Sequence, residues 1–379
     1  MRYTFLIVAA VTVAACTNKA TVVERTDIPN INVGLAKKQT RYVPNYSDFM
    51  DSVVSFPLET NDSCLIGYIL GMKMVRGNLY VQTRDEIFTF TNRGKFESKL
   101  KRKGRAASEY LSLRAFDVNR ANGDIHIYDD LNRSIKVYSA KGKFLRSVSF
   151  ENDVIARDFA RLSDGSYFFY TPDIHCGARG LWQTDSLGKN FKQLVTIDDD
   201  FEFCILRNHF LQHISDDTIS LLGHEDKNLG YHITPDTVIE AYKINVDVTI
   251  SSKVSSEAPK WDVEIPELSI YSKNLHLETH NYLGFDVIDG SNKWQTRVIY
   301  NKFTGETYQR RLTEDNDPLV CGEKINILVM PQWADNGVLF SCLEAPLVCD
   351  NKQVFGEKFA GVTPESNPCV WLYYTKSGK

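Results

Sequence analysis

Two kinds of tight turn recur along this chain at intervals that point to a repeated β unit. The first kind precedes the most hydrophobic run of each unit: Gly77 in RGNLYVQT, Gly123 in NGDIHIYD, Gly165 in DGSYFFYT, Asp217 in DDTISLLG and Gly337 in DNGVLFSCL. The first four marks lie 46, 42 and 52 residues apart. The last gap, 120 residues, accommodates two units, and THNYLGFDV near His280 supplies the missing mark. A second turn follows in most units, at Gly94 in NRGKF, Gly142 in AKGKF, Gly188 in SLGKN and Gly305 in FTGET. Tight hairpin turns need positive φ, which glycine adopts without steric cost. The runs between turns are short and apolar, and 18 Tyr with 21 Phe favour pleated surfaces over helices. Each unit therefore holds four strands, and four strands every 40–50 residues or so is the signature of a β-propeller blade.

The marks give six blades. Residues 53–375 divided by six allow about 54 residues per blade, and divided by seven about 46. The stretch 246–264, VDVTISSKVSSEAPKWDVE, is polar at its centre and reads as an inserted loop that accounts for the excess length. Six is preferred and seven is the alternative. A ring must close, because open sheet edges present unpaired backbone groups. SVVSFPLET at 52–60 stands alone before the first unit, and CVWLYYTK at 369–376 ends the last. The expectation is an all-β chain: a six-bladed β-propeller of four-stranded antiparallel blades, closed by N- and C-terminal strands in the last blade.

Ahead of the repeat, MRYTFLIVAAVTVAAC carries one basic residue, an apolar run and small residues ending at Cys16. The run is too short to span about 30 Å of hydrocarbon and reads as a secretory signal over residues 1–15. Val13-Ala14-Ala15-Cys16 resembles the bacterial lipobox, whose cysteine sulfur receives a diacylglyceryl group before cleavage. Cys16 is thus the candidate lipid-attachment residue. Residues 16–50 are mostly polar without a sustained period and read as a tether, leaving 51–379 for the propeller. The residues after Cys16 are Thr17-Asn18-Lys19-Ala20, without the acidic run of surface-exported lipoproteins, which favours a periplasm-facing location in the cell envelope.

The segment from Ile87 to Leu145 pairs F-x-x-x-G-K-F, a glycine-bearing connection, Glu109-Tyr110, Phe116-Asp117-Val118 and Ile125–Asp129. In this it resembles the six-bladed β-propeller lipoproteins of Bacteroides-type bacteria, related in fold to NHL and TolB-like propellers. The likeness runs over most of residues 52–376, and NPCVWLYYTK resembles the family's closing strand. One departure is Ala106-Ala107-Ser108, where the family has Gly-Pro-Gly or similar; a changed loop conformation is expected there. That loop contains the basic run SKLKRKGRAASEY, which the repeat makes the crossing from blade one to blade two. Crossings lie on one mouth of the ring. Lys101, Arg102 and Arg105 are candidates to attract an anion there, with Glu109 and Tyr110 shaping the entrance. The other reading has the cations solvated while Glu109 and Tyr110 hold neighbouring blades together.

A net charge of −4 gives little of the phosphate attraction that dominates nucleic-acid binding, so no nucleic-acid partner is expected. Seven cysteines follow Cys16 with no C-x-x-C among them; most sit beside apolar residues and read as small buried hydrophobes, with one disulfide as the alternative. His209 with His213, and His276 with His280, have chelating spacing only on a helix; on strands such pairs stand about 13 Å apart. No G-x-S-x-G, H-E-x-x-H, Walker or Rossmann motif occurs. The expected function is that of a monomeric, membrane-anchored binding protein for a glycan, peptide or envelope-protein partner, without a cofactor. The alternative is a metal-dependent propeller hydrolase or lyase with Ca2+ at the channel mouth, for which Asp117, Asp129 and Asn132 are candidate residues.

Overall fold

Every turn mark in the repeat falls between consecutive strands of one sheet. The computed structural model describes residues 20–33, 49–150, 154–172, 178–197, 209–223, 228–246, 271–289, 294–312 and 331–376. Six antiparallel sheets follow one another around a ring. Blade one is Gly71–Val75, Asn78–Gln82, Ile87–Thr91 and Phe96–Leu100. Blade two is Ala115–Val118, Ile125–Asp129, Ser134–Tyr138 and Phe144–Ser149. Blades three and four start at Asp158–Arg161 and Leu211–Ser215, and blade five runs from Tyr271–Glu278 to Thr307–Leu312. The turn at Thr279, where the backbone N–H donates to Tyr282 O at 2.9 Å, is the fifth blade's mark beside His280.

Closure is as the two lone terminal strands imply. In the last blade the order is Trp333–Asp335, Val338–Leu343, Cys369–Thr375 and then the N-terminal strand Met50–Pro57. The chain ends pair antiparallel, with Cys369 opposite Pro57 and Tyr373 opposite Val53. Asn367 locks the seam: its Oδ1 accepts from Ile66 N at 2.8 Å, and its Nδ2 donates to Glu59 O at 2.6 Å and Cys64 O at 2.5 Å. Gly94 must be glycine beside that seam. Its φ is +81°, and a Cβ there would lie 2.4 Å from Pro57 O.

The core follows the same logic. Among the described residues there are six apolar clusters, one between each pair of neighbouring blades. Blades pack face to face, so their middle strands are buried on both sides and read as continuous apolar runs. Ile125–Asp129, Ser134–Tyr138 and Tyr167–Thr171 are buried at every position, whereas the outer strand Phe144–Ser149 is mostly exposed.

Two expectations need correction, and the last blade adds a feature that leaves the all-β ring as expected. The seven-blade alternative is excluded. Part of the stretch read as a tether is folded: Thr21–Val23 and Asn30–Val33 pair in parallel with the outer strand of blade four, Thr237–Val246. Ala20 is fully buried; its N–H donates to Gln183 Oε1 at 2.9 Å and its carbonyl accepts from Lys192 Nζ at 3.0 Å. Strands of three and four residues are too short to register a period, which is why this segment reads as structureless. Finally, the last blade carries two short helices, Ala345–Asp350 and Lys352–Phe355. Phe355 and Phe359 pack their rings 5.4 and 5.5 Å from Trp371. The proposed inserted loop, apart from Val246 at its start, lies outside the described residues, as do Cys16, Cys176, Cys204 and Cys321. Cys64, Cys342, Cys349 and Cys369 are free thiols.

Candidate functional site

The inner strands carry charged groups to the ring axis and pair them across it. Asp117 of blade two is fully buried; it meets Lys73 Nζ of blade one at 3.3 Å and His213 Nε2 of blade four at 3.0 Å. Its Oδ2 also accepts the Arg161 backbone N–H of blade three at 2.7 Å. Arg120 forks onto Asp335 of blade six at 2.5 and 3.3 Å, and Met74 N–H donates to the same carboxylate at 3.0 Å. Blade two neighbours neither blade four nor blade six, so these pairs span the bore. Burial alone would push the Asp117 carboxyl up, but Lys73, His213 and Arg120 hold it well below the usual carboxylate range. Burial alone would push Lys73 down; the carboxylates of Asp117, Asp335 and Asp158 reverse that and raise it. Beside them His126, bonded to Tyr167 OH at 3.1 Å, is pushed down to about 3 by burial and then by Arg161. Charges so paired fasten blades rather than exchange protons near neutral pH.

The basic crossing lies where the repeat puts it, between Phe96–Leu100 and Ala115–Val118. Tyr110 is fully buried, edge-on to Tyr138 at 6.3 Å. Its OH donates to Asp85 O at 2.7 Å and accepts Arg102 N–H at 3.1 Å. Burial pushes its phenol up to about 12. Glu109 Oε2 accepts Ala106 N–H at 2.8 Å and so shapes the loop that departs from Gly-Pro-Gly. Lys101 reaches Glu86 at 2.8 Å and Lys103 reaches Asp85 at 2.7 Å, both from the adjoining hairpin of blade one. Arg102 and Arg105 are exposed. Asp129 and Asn132 belong to the same support: Asp129 is buried and accepts Leu111 N–H at 2.8 Å and Asn132 Nδ2–H at 2.7 Å. Asp117 is at the axis, so the three candidate calcium residues do not converge. Among the described residues no group of three His, Cys, Asp or Glu side chains is placed to hold a metal.

A second buried network lies between blades four and five, and sequence reading missed it. Glu278, fully buried, accepts from Lys302 Nζ at 2.6 Å, His232 Nε2 at 2.7 Å and Tyr242 OH. His232 Nε2 also lies 2.6 Å from Tyr242 OH. On the other carboxylate oxygen is His276 Nε2 at 3.3 Å, itself 2.6 Å from Ser220 Oγ. Serine and carboxylate thus share one ring nitrogen, whereas nucleophile activation needs them on opposite nitrogens; this is not a hydrolytic triad. Burial would raise Glu278, but Lys302 and the histidines hold it well below its ordinary range. Burial and the Glu278 charge raise Tyr242 well above its own. The signal available in HLETH was Glu278, a carboxylate inside an apolar strand; attention to its flanking histidines as a metal pair passed over it. His209 and His213 likewise serve different partners, with His209 Nε2 at 2.7 Å from Leu70 O.

Above this network a groove of about 620 Å3 opens between blade four, Tyr300 of blade five and the N-terminal strap Arg25–Pro29. His232 lines it. Strand ends at Ile233, Glu278 and Asn301 place the network on the face carrying the first and third turns of each blade. The basic crossing occupies the opposite face.

The profile of a domain of unknown function, DUF4934, matches residues 28–374. The chain belongs to the DUF4934 family. The DUF4934 match begins inside the expected tether, ahead of the folded strand Asn30–Val33. Among solved structures, a candidate exported protein of Bacteroides fragilis superposes with a TM-score of 0.68 at 16% identity, covering 92% of this chain and 100% of that one. A member of the DUF4221 family from Bacteroides vulgatus gives a TM-score of 0.47 at 9% identity, covering 87% and 98%. No curated protein matches the chain. The first superposition supports the propeller fold for this DUF4934 member. No described helix is long and apolar enough to cross a membrane.

Proposed function

We propose that this DUF4934 chain is a lipid-anchored propeller of the cell envelope, acylated at Cys16, whose ring binds a glycan, peptide or envelope protein. The lipobox-like Val13-Ala14-Ala15-Cys16 supports the anchor, and the exported B. fragilis relative supports passage across the inner membrane. The observation that carries the reading is the burial of Ala20 between blades three and four, four residues after Cys16. At about 3.6 Å per residue that span reaches about 14 Å at most. An acylated Cys16 would therefore hold the rim of blades three and four against the bilayer. Several acyl chains, each contributing about 0.8 kcal/mol per buried methylene, make such attachment essentially permanent. The ring is then a fixed platform, with exposed Arg102 and Arg105 and the paired Lys101 as a cationic contact surface supported by Glu109 and Tyr110. Descent within the NHL or TolB-like propellers belongs to the same proposal.

The test compares the natural chain with Cys16→Ser in a bacterial host fed labelled palmitate. The natural chain is expected to carry label, pellet with membranes and yield an acylated N-terminal Cys16 peptide by mass spectrometry. The variant should carry no label and stay in the soluble fraction. Equal partitioning of both, or an unacylated N-terminal peptide, overturns the anchor.

A further inference from the structure

We propose that the groove between blades four and five binds a neutral polyhydroxylated ligand, chemically a sugar ring, with His232 as a central contact. The groove lies on the face opposite the basic crossing, so this goes beyond the cationic contact surface proposed above. Three features of the groove converge. First, His232 is fixed at one nitrogen and open at the other. Its Nε2 lies 2.7 Å from Glu278 Oε1 and 2.6 Å from Tyr242 OH, while Nδ1 has no partner among the described residues. A carboxylate facing Nε2 keeps the ring proton there, so in the neutral ring Nδ1 is a lone-pair acceptor for a ligand hydroxyl. Lys302 Nζ, also on Glu278 Oε1, is the other charged group facing the histidine.

Second, the strap supplies Arg25 and Asp27 to the groove lining. One offers a fork of donors and the other two acceptor oxygens, a complement to hydroxyls that both donate and accept. Their charges cancel, so neither an anion nor a cation gains a net field. Third, Ile239 and Ala241 at a β-bulge of the outer strand of blade four both line the groove, and with Tyr300 they add an apolar wall for C–H surfaces. The volume falls within the roughly 300–1,000 Å3 of small-molecule sites. The parallel strands Thr21–Val23 and Asn30–Val33 hold the strap at both ends, so this wall is built into the ring.

The test is protection of individual histidines from diethyl pyrocarbonate, read by peptide mass spectrometry. The full chain is used, in a non-glycosidic detergent. D-glucose, D-galactose and N-acetyl-D-glucosamine are the probes, with sulfate as the charged comparison. His232 should react when the groove is empty. At least one sugar should slow that reaction in a saturable way without changing the rates at His209 or His280, and sulfate should not. Asp27→Asn, at an exposed position, should leave the thermal midpoint unchanged and raise the half-protecting sugar concentration about tenfold. Four results overturn the proposal: an unreactive His232, no protection by any of the three sugars, protection by sulfate alone, or protection that Asp27→Asn leaves unaltered. Sugar protection confined to histidines other than His232 would leave the binding role standing and overturn this site.

Discussion

Removing the Asp117 carboxylate tests whether paired charges fasten the axis. Asp117→Ala strands Lys73 and His213 and leaves the backbone N–H groups of Val118 and Arg161 without their acceptor. Deleting one partner of a buried ion pair costs about 3–5 kcal/mol, because the remaining charge stays buried. Unfolding entropy near 2.1 cal/mol/K per residue over roughly 330 residues gives about 0.7 kcal/mol/K, so a loss of about 4 kcal/mol lowers Tm by about 6 °C. Scanning calorimetry at pH 7 reads this directly. Adding Lys73→Met to Asp117→Ala should recover part of the loss, since no unpaired ammonium then remains. The folded Asp117 carboxyl titrates below its unfolded value, so its stabilisation is complete above pH 4 or so and disappears as pH falls through the folded value. The gap between natural chain and variant should therefore narrow in acid. A drop under about 1 °C at pH 7, a second substitution that only adds to the loss, or a gap that persists unchanged in acid would refute the reasoning.

Other outcomes follow from single positions. Gly94→Ala must accept a φ of +81° and a contact at 2.4 Å with Pro57 O, so it should cost about 1–3 kcal/mol, or roughly 2–4 °C; Gly67→Ala, with open space around it, should be silent in the same scan. Ala20→Arg should expel the strap from blade four, seen as faster hydrogen exchange at Val238 and at Lys243, whose N–H donates to Pro29 O of the strap at 2.9 Å; unchanged exchange would contradict strap pairing. Cys342 and Cys369 thiols are pushed up to about 12, mainly by burial, so iodoacetamide at pH 8 should label them only after denaturation, and rapid labelling of the native chain would refute it.

The ring was legible because its signals are local. A glycine such as Gly77 or Gly123 at positive φ marks a hairpin from within a few residues, and DIHIYD or SYFFYT announces a strand buried on both faces. The lone terminal strands revealed the closure, since the N-terminal strand has no sequence neighbour to pair with and the ring offers it the free edge of the C-terminal strand. The strap escaped because a three-residue strand has no period to display and its partner lies more than two hundred residues away in sequence. The network around Glu278 escaped for a related reason. His232, Tyr242, Glu278 and Lys302 occupy two blades, and packing alone brings them together. Tyr110 shows the intermediate case: its place on the crossing was readable, but its burial against Tyr138 depends on how blade two twists onto blade one.

The sharing of one sheet by both chain ends can be measured by pairing Ser52→Cys with Tyr374→Cys, which face each other in the seam. Directly opposed residues have Cα atoms about 4.5–5.5 Å apart, within disulfide reach. Mild oxidation of the folded protein should give a disulfide-linked peptide pair from residues 52 and 374, with the thermal midpoint kept or raised. A folded chain in which the two thiols stay free, or join other cysteines, would contradict the closed ring.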